Sequence, residues 1–231
     1  MDYQLFYWNV PFRGNFPLIL MSEAGLKFEV VDASKIYPDS SLSIICPGVA
    51  PPYLLDCKEN KYLNQMPAIM MHLASRHNLL PKNSPDVWVA LKLILDCNDI
   101  LYEITRYHGM EMWTSQKWKE FRTYRFSKWL KQFETIGYER LDKTSGFFFD
   151  GKISVADLSV TALLGALKWS FPALTTDMKE SCPNVLSLVE RVEKREGIKQ
   201  FLKKQRKELG KEYCSGQIED SIRSMLSSQA H

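Results

Sequence analysis

Two short stretches hold the residues whose types and spacing can do chemistry. The first reads Leu5-Phe6-Tyr7-Trp8-Asn9-Val10-Pro11-Phe12-Arg13-Gly14. It brings a phenol, an indole and a guanidinium into one proline-broken loop. Arg13 suits a carboxylate, because its planar fork of donors matches two oxygens. The second stretch is Val49-Ala50-Pro51-Pro52-Tyr53-Leu54, followed after the polar turn Asp56 to Lys61 by Asn64-Gln65-Met66-Pro67-Ala68-Ile69. A proline at the first residue of a strand costs no ladder bond. Pro67 at the first helical position is equally compatible, since the first N–H groups of a helix have no internal partner. That register predicts Met66 at the cap, where its side chain cannot accept a hydrogen bond. The next N–H groups are then free, and the helix dipole favours an anion beside them. One segment thus offers a fixed backbone edge next to a carboxylate-sized anion site.

These stretches need a scaffold. Tyr3 to Val10 is rich in aromatic and β-branched residues and reads as a strand. Asn15 is placed to cap a helix that carries Pro17 in its first turn and ends at Gly25. Lys27 to Asp32 reads as a second strand, which completes a βαβ unit. Ser34 to Gly48 is irregular, with room for a short helical turn. The Pro52 strand, a strand near Tyr62 and a helix from Pro67 to His77 follow. The order βαβ, loop, ββα is that of a thioredoxin-like domain, here residues 1–81. Asn78 to Pro85 has linker composition.

Beyond it the helical period dominates: Asp86 to Met110, Thr114 to Leu141, Val155 to Leu167, Pro183 to Arg195 and Gly197 to Leu209. The expected fold is therefore an α/β thioredoxin-like domain plus an all-α helical domain over 86–231. Ser154 and Asp157 sit as a capping box, with Ile153 and Leu158 at staple positions, before a nearly all-apolar helix. They are expected to be structural. The tail after Gly210 is polar, with Ile218, Ile222 and Leu226 spaced for one or two helical turns.

Composition excludes several classes. The formal net charge of +3 is mild and dispersed, without a basic run suited to nucleic acid. The five cysteines are widely spaced with no Cys-x-x-Cys, which fits reduced thiols in a cytoplasmic protein. The four histidines are scattered, and no metal spacing is visible. There is no phosphate loop, no dinucleotide fingerprint, no signal peptide and no apolar run long enough for a bilayer.

The combination resembles the cytosolic glutathione S-transferase superfamily, of the tyrosine type. Tyr7-Trp8 and Arg13-Gly14 match its N-terminal loop, and the form Tyr-Trp-x-Val-Pro-Phe-Arg-Gly resembles a bacterial branch. Pro52, after Pro51, matches its cis-proline, and Gln65 its glutamine at a helix start. Met66 stands where the family has serine. Ser154 and Asp157 match its helix-starting box.

The resemblance implies an enzyme of detoxification that conjugates glutathione, its co-substrate, to small apolar electrophiles, with no metal. Tyr7 would be catalytic. A free thiol has a pKa of roughly 8.5, and a phenol donor that lowers it by one to two units contributes about 1.4–2.7 kcal/mol. Trp8, Arg13, Pro51, Pro52, Gln65 and Met66 would bind glutathione. Val10, Phe12, Tyr102, Arg106 and Tyr107 would line the electrophile pocket. Asp99, with Asp96 as its rival, would reach a partner subunit's site in a homodimer. The alternatives are a non-catalytic binding or scaffold protein on the same fold, or another glutathione-dependent activity such as an isomerase or peroxidase.

Overall fold

The computed structural model describes residues 1–36 and 46–228. Four strands, β1 (Tyr3–Phe6), β2 (Phe28–Val31), β3 (Tyr53–Asp56) and β4 (Lys61–Asn64), form one sheet in the order β2-β1-β3-β4. β1 and β2 are parallel, joined by α1 (Asn15–Glu23), whereas β3 runs antiparallel to both β1 and β4. The parallel pair requires a crossover helix, and the antiparallel pair closes through a short hairpin. Asp56 tightens that hairpin by accepting from the Lys58 and Glu59 N–H groups at 3.0 and 3.1 Å. The sheet leads into α2 (Met66–Arg76). A short 3₁₀ turn at Ala33–Lys35 opens the stretch expected to be irregular; residues 37–45 of it lie outside the described residues.

The second half is helical: α3 (Ser84–Ile104), α4 (Ser115–Glu120), α5 (Ser127–Arg140), α6 (Val155–Ser170), α7 (Thr175–Ser181), α8 (Pro183–Glu193), α9 (Glu196–Leu209) and α10 (Gly216–Ser227). Helix α6 is buried along almost its whole length, as its apolar sequence requires. The long helix expected over Thr114 to Leu141 is broken by a π-helical turn at Phe121–Phe126. The polar tail folds into α10, whose Ile218 and Ile222 are buried. Among the described residues no single helix is long and apolar enough to cross a membrane.

Three sequence expectations need correction. Asn15 does not cap α1; Gly14 does, while the buried Asn15 side chain donates across to the Ala162 carbonyl at 3.2 Å and accepts from Gln205. Met66 is the first residue of α2 and Gln65 is its cap, because Gln65 turns the chain with φ 70°. The helix expected to reach Met110 ends at Ile104. There the Trp113 indole N–H satisfies the Ile104 carbonyl at 3.0 Å, and Arg106, Tyr107 and His108 turn left-handed with φ of 46°, 60° and 61°.

The sheet layer and the helical bundle are tied at named points. The Val155 N–H donates to the Leu79 carbonyl at 2.8 Å. Arg195 pairs with Glu23 at the end of α1, and beside it Gly197 comes so close that a Cβ there would meet the Ser22 carbonyl oxygen at 2.3 Å. The close approach explains a glycine in the first turn of α9.

Candidate functional site

β1 ends at Phe6, opposite Tyr53 of β3, and Tyr53 lies opposite Asn64 of β4. One residue further along each strand, the same register sets Tyr7, Pro52 and Gln65 in a row across one end of the sheet. Three residues far apart in sequence thus share one edge because the pairing is antiparallel. The Pro51–Pro52 peptide is cis, and both prolines are buried.

Tyr7 is almost wholly buried. Its ring passes against Gly14, where a Cβ would meet the ring at 2.3 Å, so only glycine admits it. The Arg13 backbone N–H donates to the Tyr7 hydroxyl oxygen at 3.1 Å. Burial pushes the phenol's pKa up, against the opposing pull of Arg13. Tyr7 therefore keeps its proton at neutral pH, and its O–H is chemically able to donate. Trp8 stands edge-on to Tyr7 at 5.3 Å and is partly exposed.

The Arg13 guanidinium is half-buried, and burial lowers its pKa. Its Nε–H donates to Asn98 Oδ1 at 3.3 Å, and it lies 4.8 Å from the centre of the Phe12 ring. Among the described residues no carboxylate pairs with it. An unpaired, partly desolvated cation next to a protonated phenol is an anion site in electrostatic terms.

At the start of α2 no side chain among the described residues caps the helix; Gln65 and Ala68 are exposed, and Met66 is buried. The first N–H groups are left to solvent or to a ligand. Phenol, guanidinium, cis-proline edge and open helix start together fit a peptide that carries a thiol and a carboxylate.

A family model described as "Glutathione S-transferase, C-terminal domain" matches residues 89–225, more than half of the chain. The chain belongs to the glutathione S-transferase family. Similar solved structures include a Pi-class glutathione S-transferase of Onchocerca volvulus, at 20% identity and a TM-score of 0.76, which covers 94% of this chain and 98% of that one. A glutathione transferase of Methylococcus capsulatus follows at 20% identity and 0.66, covering 88% and 98%. A glutathione S-transferase of Caenorhabditis elegans stands at 23% and 0.70, covering 88% and 98%. These likenesses are of fold, with glutathione the co-substrate the family implies. No curated protein sequence matches the chain.

The transferase fold gathers the expected pocket residues in two groups. Phe12 is buried and Val10 half-buried beside the Tyr7 loop. Tyr102, on α3, meets Tyr107 at 5.2 Å, and Arg106 lies over the Tyr107 ring, so these three form their own cluster. Arg106 also pairs with Glu111. Asp96 is engaged within its own chain by Lys92 and by Gln132. Asp99 is exposed without such a partner among the described residues, and burial with the charges of Asp96 and Glu103 raises its pKa. Ser154 and Asp157 form the expected box. The Ser154 N–H and hydroxyl donate to Asp157 Oδ2 at 2.7 and 2.6 Å, and the Phe148 N–H donates to Oδ1 at 2.9 Å.

Sequence reasoning missed Asn98, His108 and the Tyr213 segment. The first two belong to the helical half, and only packing carries them to Arg13. Tyr213 lies in the polar tail ahead of the helical spacing at Ile218, Ile222 and Leu226, so no periodic signal reaches it.

Proposed function

We propose that the chain is a glutathione transferase that joins the glutathione thiolate to small apolar electrophiles. The observation that carries this is the row Tyr7–Pro52–Gln65 across one sheet end, with the Arg13 backbone N–H on the Tyr7 hydroxyl and the Arg13 guanidinium, unpaired with any carboxylate among the described residues, over Phe12 of the same loop. Tyr7 donates its O–H to the sulfur and stabilises the thiolate, which is the nucleophile. The Pro51–Pro52 edge presents backbone to the tripeptide. Gln65 and the open N–H groups at Met66 take the γ-glutamyl carboxylate, and Trp8 covers the ligand's backbone. Met66 contributes its N–H alone, since its side chain is buried.

Residues 1–81 act as the glutathione-binding domain, and 86–231 complete the electrophile pocket around Val10, Phe12, Tyr102, Arg106 and Tyr107. The unit is a homodimer in which Asp99 faces the partner's glutathione. It works in the cytoplasm, in keeping with five free thiols, and serves detoxification.

The test is calorimetric titration of glutathione into the wild type, with turnover of an aryl chloride measured on the wild type and on Tyr7→Phe. Expected are micromolar to millimolar binding, a drop in kcat of about tenfold or more at neutral pH, equal to about 1.4 kcal/mol, and little change in affinity. Binding without turnover in the wild type would favour the scaffold reading, which the buried Met66 side chain at the ligand position supports. An absence of binding would remove the glutathione reading.

A further inference from the structure

Tyr213 is fully buried, yet among the described residues its hydroxyl has no hydrogen-bond partner. A buried O–H without an acceptor costs free energy unless a bound ligand supplies one. The Tyr213 ring stands edge-on to Phe12 at 5.4 Å and to Phe171 at 5.1 Å, which keeps its surroundings apolar. Phe12 also carries the Arg13 guanidinium.

The backbone holding Tyr213 is firmly set. Glu219 Oε2 accepts from the N–H groups of Tyr213, Cys214 and Ser215 at 3.0, 2.8 and 2.7 Å. Arg223 pairs with the other oxygen at 2.5 Å. Ser221 accepts from the Trp113 N–H, which pins α10 to the loop before α4. This well-tied segment therefore ends in a phenol aimed at no acceptor of its own.

The charged and titratable groups around it supply no free anion. Arg13 feels both the Tyr7 and the Tyr213 phenols. Burial, then Glu219, pushes the Cys214 thiol up to about 12, so it stays neutral. Burial and the charge of Arg13 lower the pKa of His108, which is neutral as well. Burial opposes ionisation of Glu219, but Arg223 and the three N–H donors hold it ionised and engaged. The cluster thus has one cation and two phenols, and among the described residues the Tyr213 hydroxyl has no acceptor.

We propose that Tyr213 is a second hydroxyl donor to the glutathione sulfur, which lies between the Tyr7 and Tyr213 O–H groups with Arg13 behind it. This rests on the glutathione reading of the Tyr7 site. When the thiol ionises, its proton leaves to solvent and the electron pair stays on sulfur; neither phenol gives up its proton. The apolar rings around Tyr213 exclude water, which strengthens the donor.

The experiment is a pH titration of thiolate ultraviolet absorbance for glutathione bound to the wild type, Tyr213→Phe and Tyr7→Phe. Tyr213→Phe removes only an unpaired hydroxyl, so its thermal midpoint stays level or rises. The bound thiol pKa rises by about half a unit or more, and kcat near pH 6.5 falls about threefold, while glutathione affinity stays within about twofold. Incorporating 3-fluorotyrosine at position 213 makes a stronger donor and moves the pKa the other way. A Tyr213→Phe titration superimposed on the wild type overturns the proposal, because a hydroxyl that only holds a buried water leaves the sulfur unaffected. If the wild type binds and titrates glutathione normally, the Tyr7 reading survives that failure; if the wild type binds none, both fall.

Discussion

Helix α2 begins behind Gln65, a residue with φ 70° whose side chain makes no cap, whereas α6 begins behind Ser154, whose cap is closed by Asp157. Both starts leave N–H donors without intrahelical partners. At α6 the start is buried, water cannot reach it, and the carboxylate of Asp157 must satisfy the donors. At α2 the flanking Gln65 and Ala68 are exposed, so water satisfies the donors in the free protein and a ligand carboxylate can replace that water. A closed start in the core stabilises the fold, and an open start at the sheet edge leaves donors for binding.

Asp157→Ala should give the largest effect. It strands the Ser154 and Phe148 N–H groups in the core and costs about 3 kcal/mol or more. In a chain of this size that lowers the thermal midpoint by roughly 6–12 °C. Glutathione affinity of the remaining folded protein should not change. A parallel loss of affinity, measured by calorimetry below the midpoint, would break the separation of the two helix starts.

The same residue sets a pH dependence. Burial pushes the Asp157 carboxyl up to about 6, against its three hydrogen bonds. In the unfolded chain an aspartate titrates near ~3.9, so between about pH 4 and 6 the folded state binds more protons. This group's contribution to stability therefore falls as pH rises through that window, by about 3 kcal/mol in all. Thermal melts of the wild type and Asp157→Asn from pH 4 to 7 check it: the difference between the two curves should slope in that window and flatten above it. A flat difference would mean that the hydrogen bonds outweigh burial.

The two starts also differ in how far the sequence reveals them. The α6 box is local: Ser154, Asp157 and the apolar run after them are adjacent, and each signal agrees with its neighbours. The strands and α1 were legible for the same reason. The α2 start was legible in place but not in register, because the left-handed turn at Gln65 is imposed by the sheet edge and carries no residue signature. The end of α3 at Ile104 depends on the Trp113 indole, and the Asn15 side chain is drawn to α6, so local cap and helix patterns mislead at both. Tyr7 and Arg13 could be read from their loop. Tyr213 could not, because only the docking of α10 carries the tail to Phe12.

The smallest effects lie at Gln65, and there binding and stability should move in opposite directions. A non-glycine residue at φ 70° and ψ 114° sits in a sparsely populated region, and strain of that kind persists at functional sites. Gln65→Gly relieves it. Part of the gain is lost because glycine makes the unfolded chain freer, leaving a net stabilisation of about 0.5–1 kcal/mol, or roughly 1–3 °C. Glutathione affinity should fall about tenfold, which is ~1.4 kcal/mol, because the side-chain amide is gone while the backbone donors remain. Gln65→Ala should lose the same affinity without the gain in stability, since its Cβ keeps the strain. If Gln65→Gly loses stability instead, the residue is tied into the fold and α2 starts no more openly than α6. If both variants keep full affinity, the carboxylate is held by the helix N–H groups alone, and the contrast between the two starts becomes sharper still.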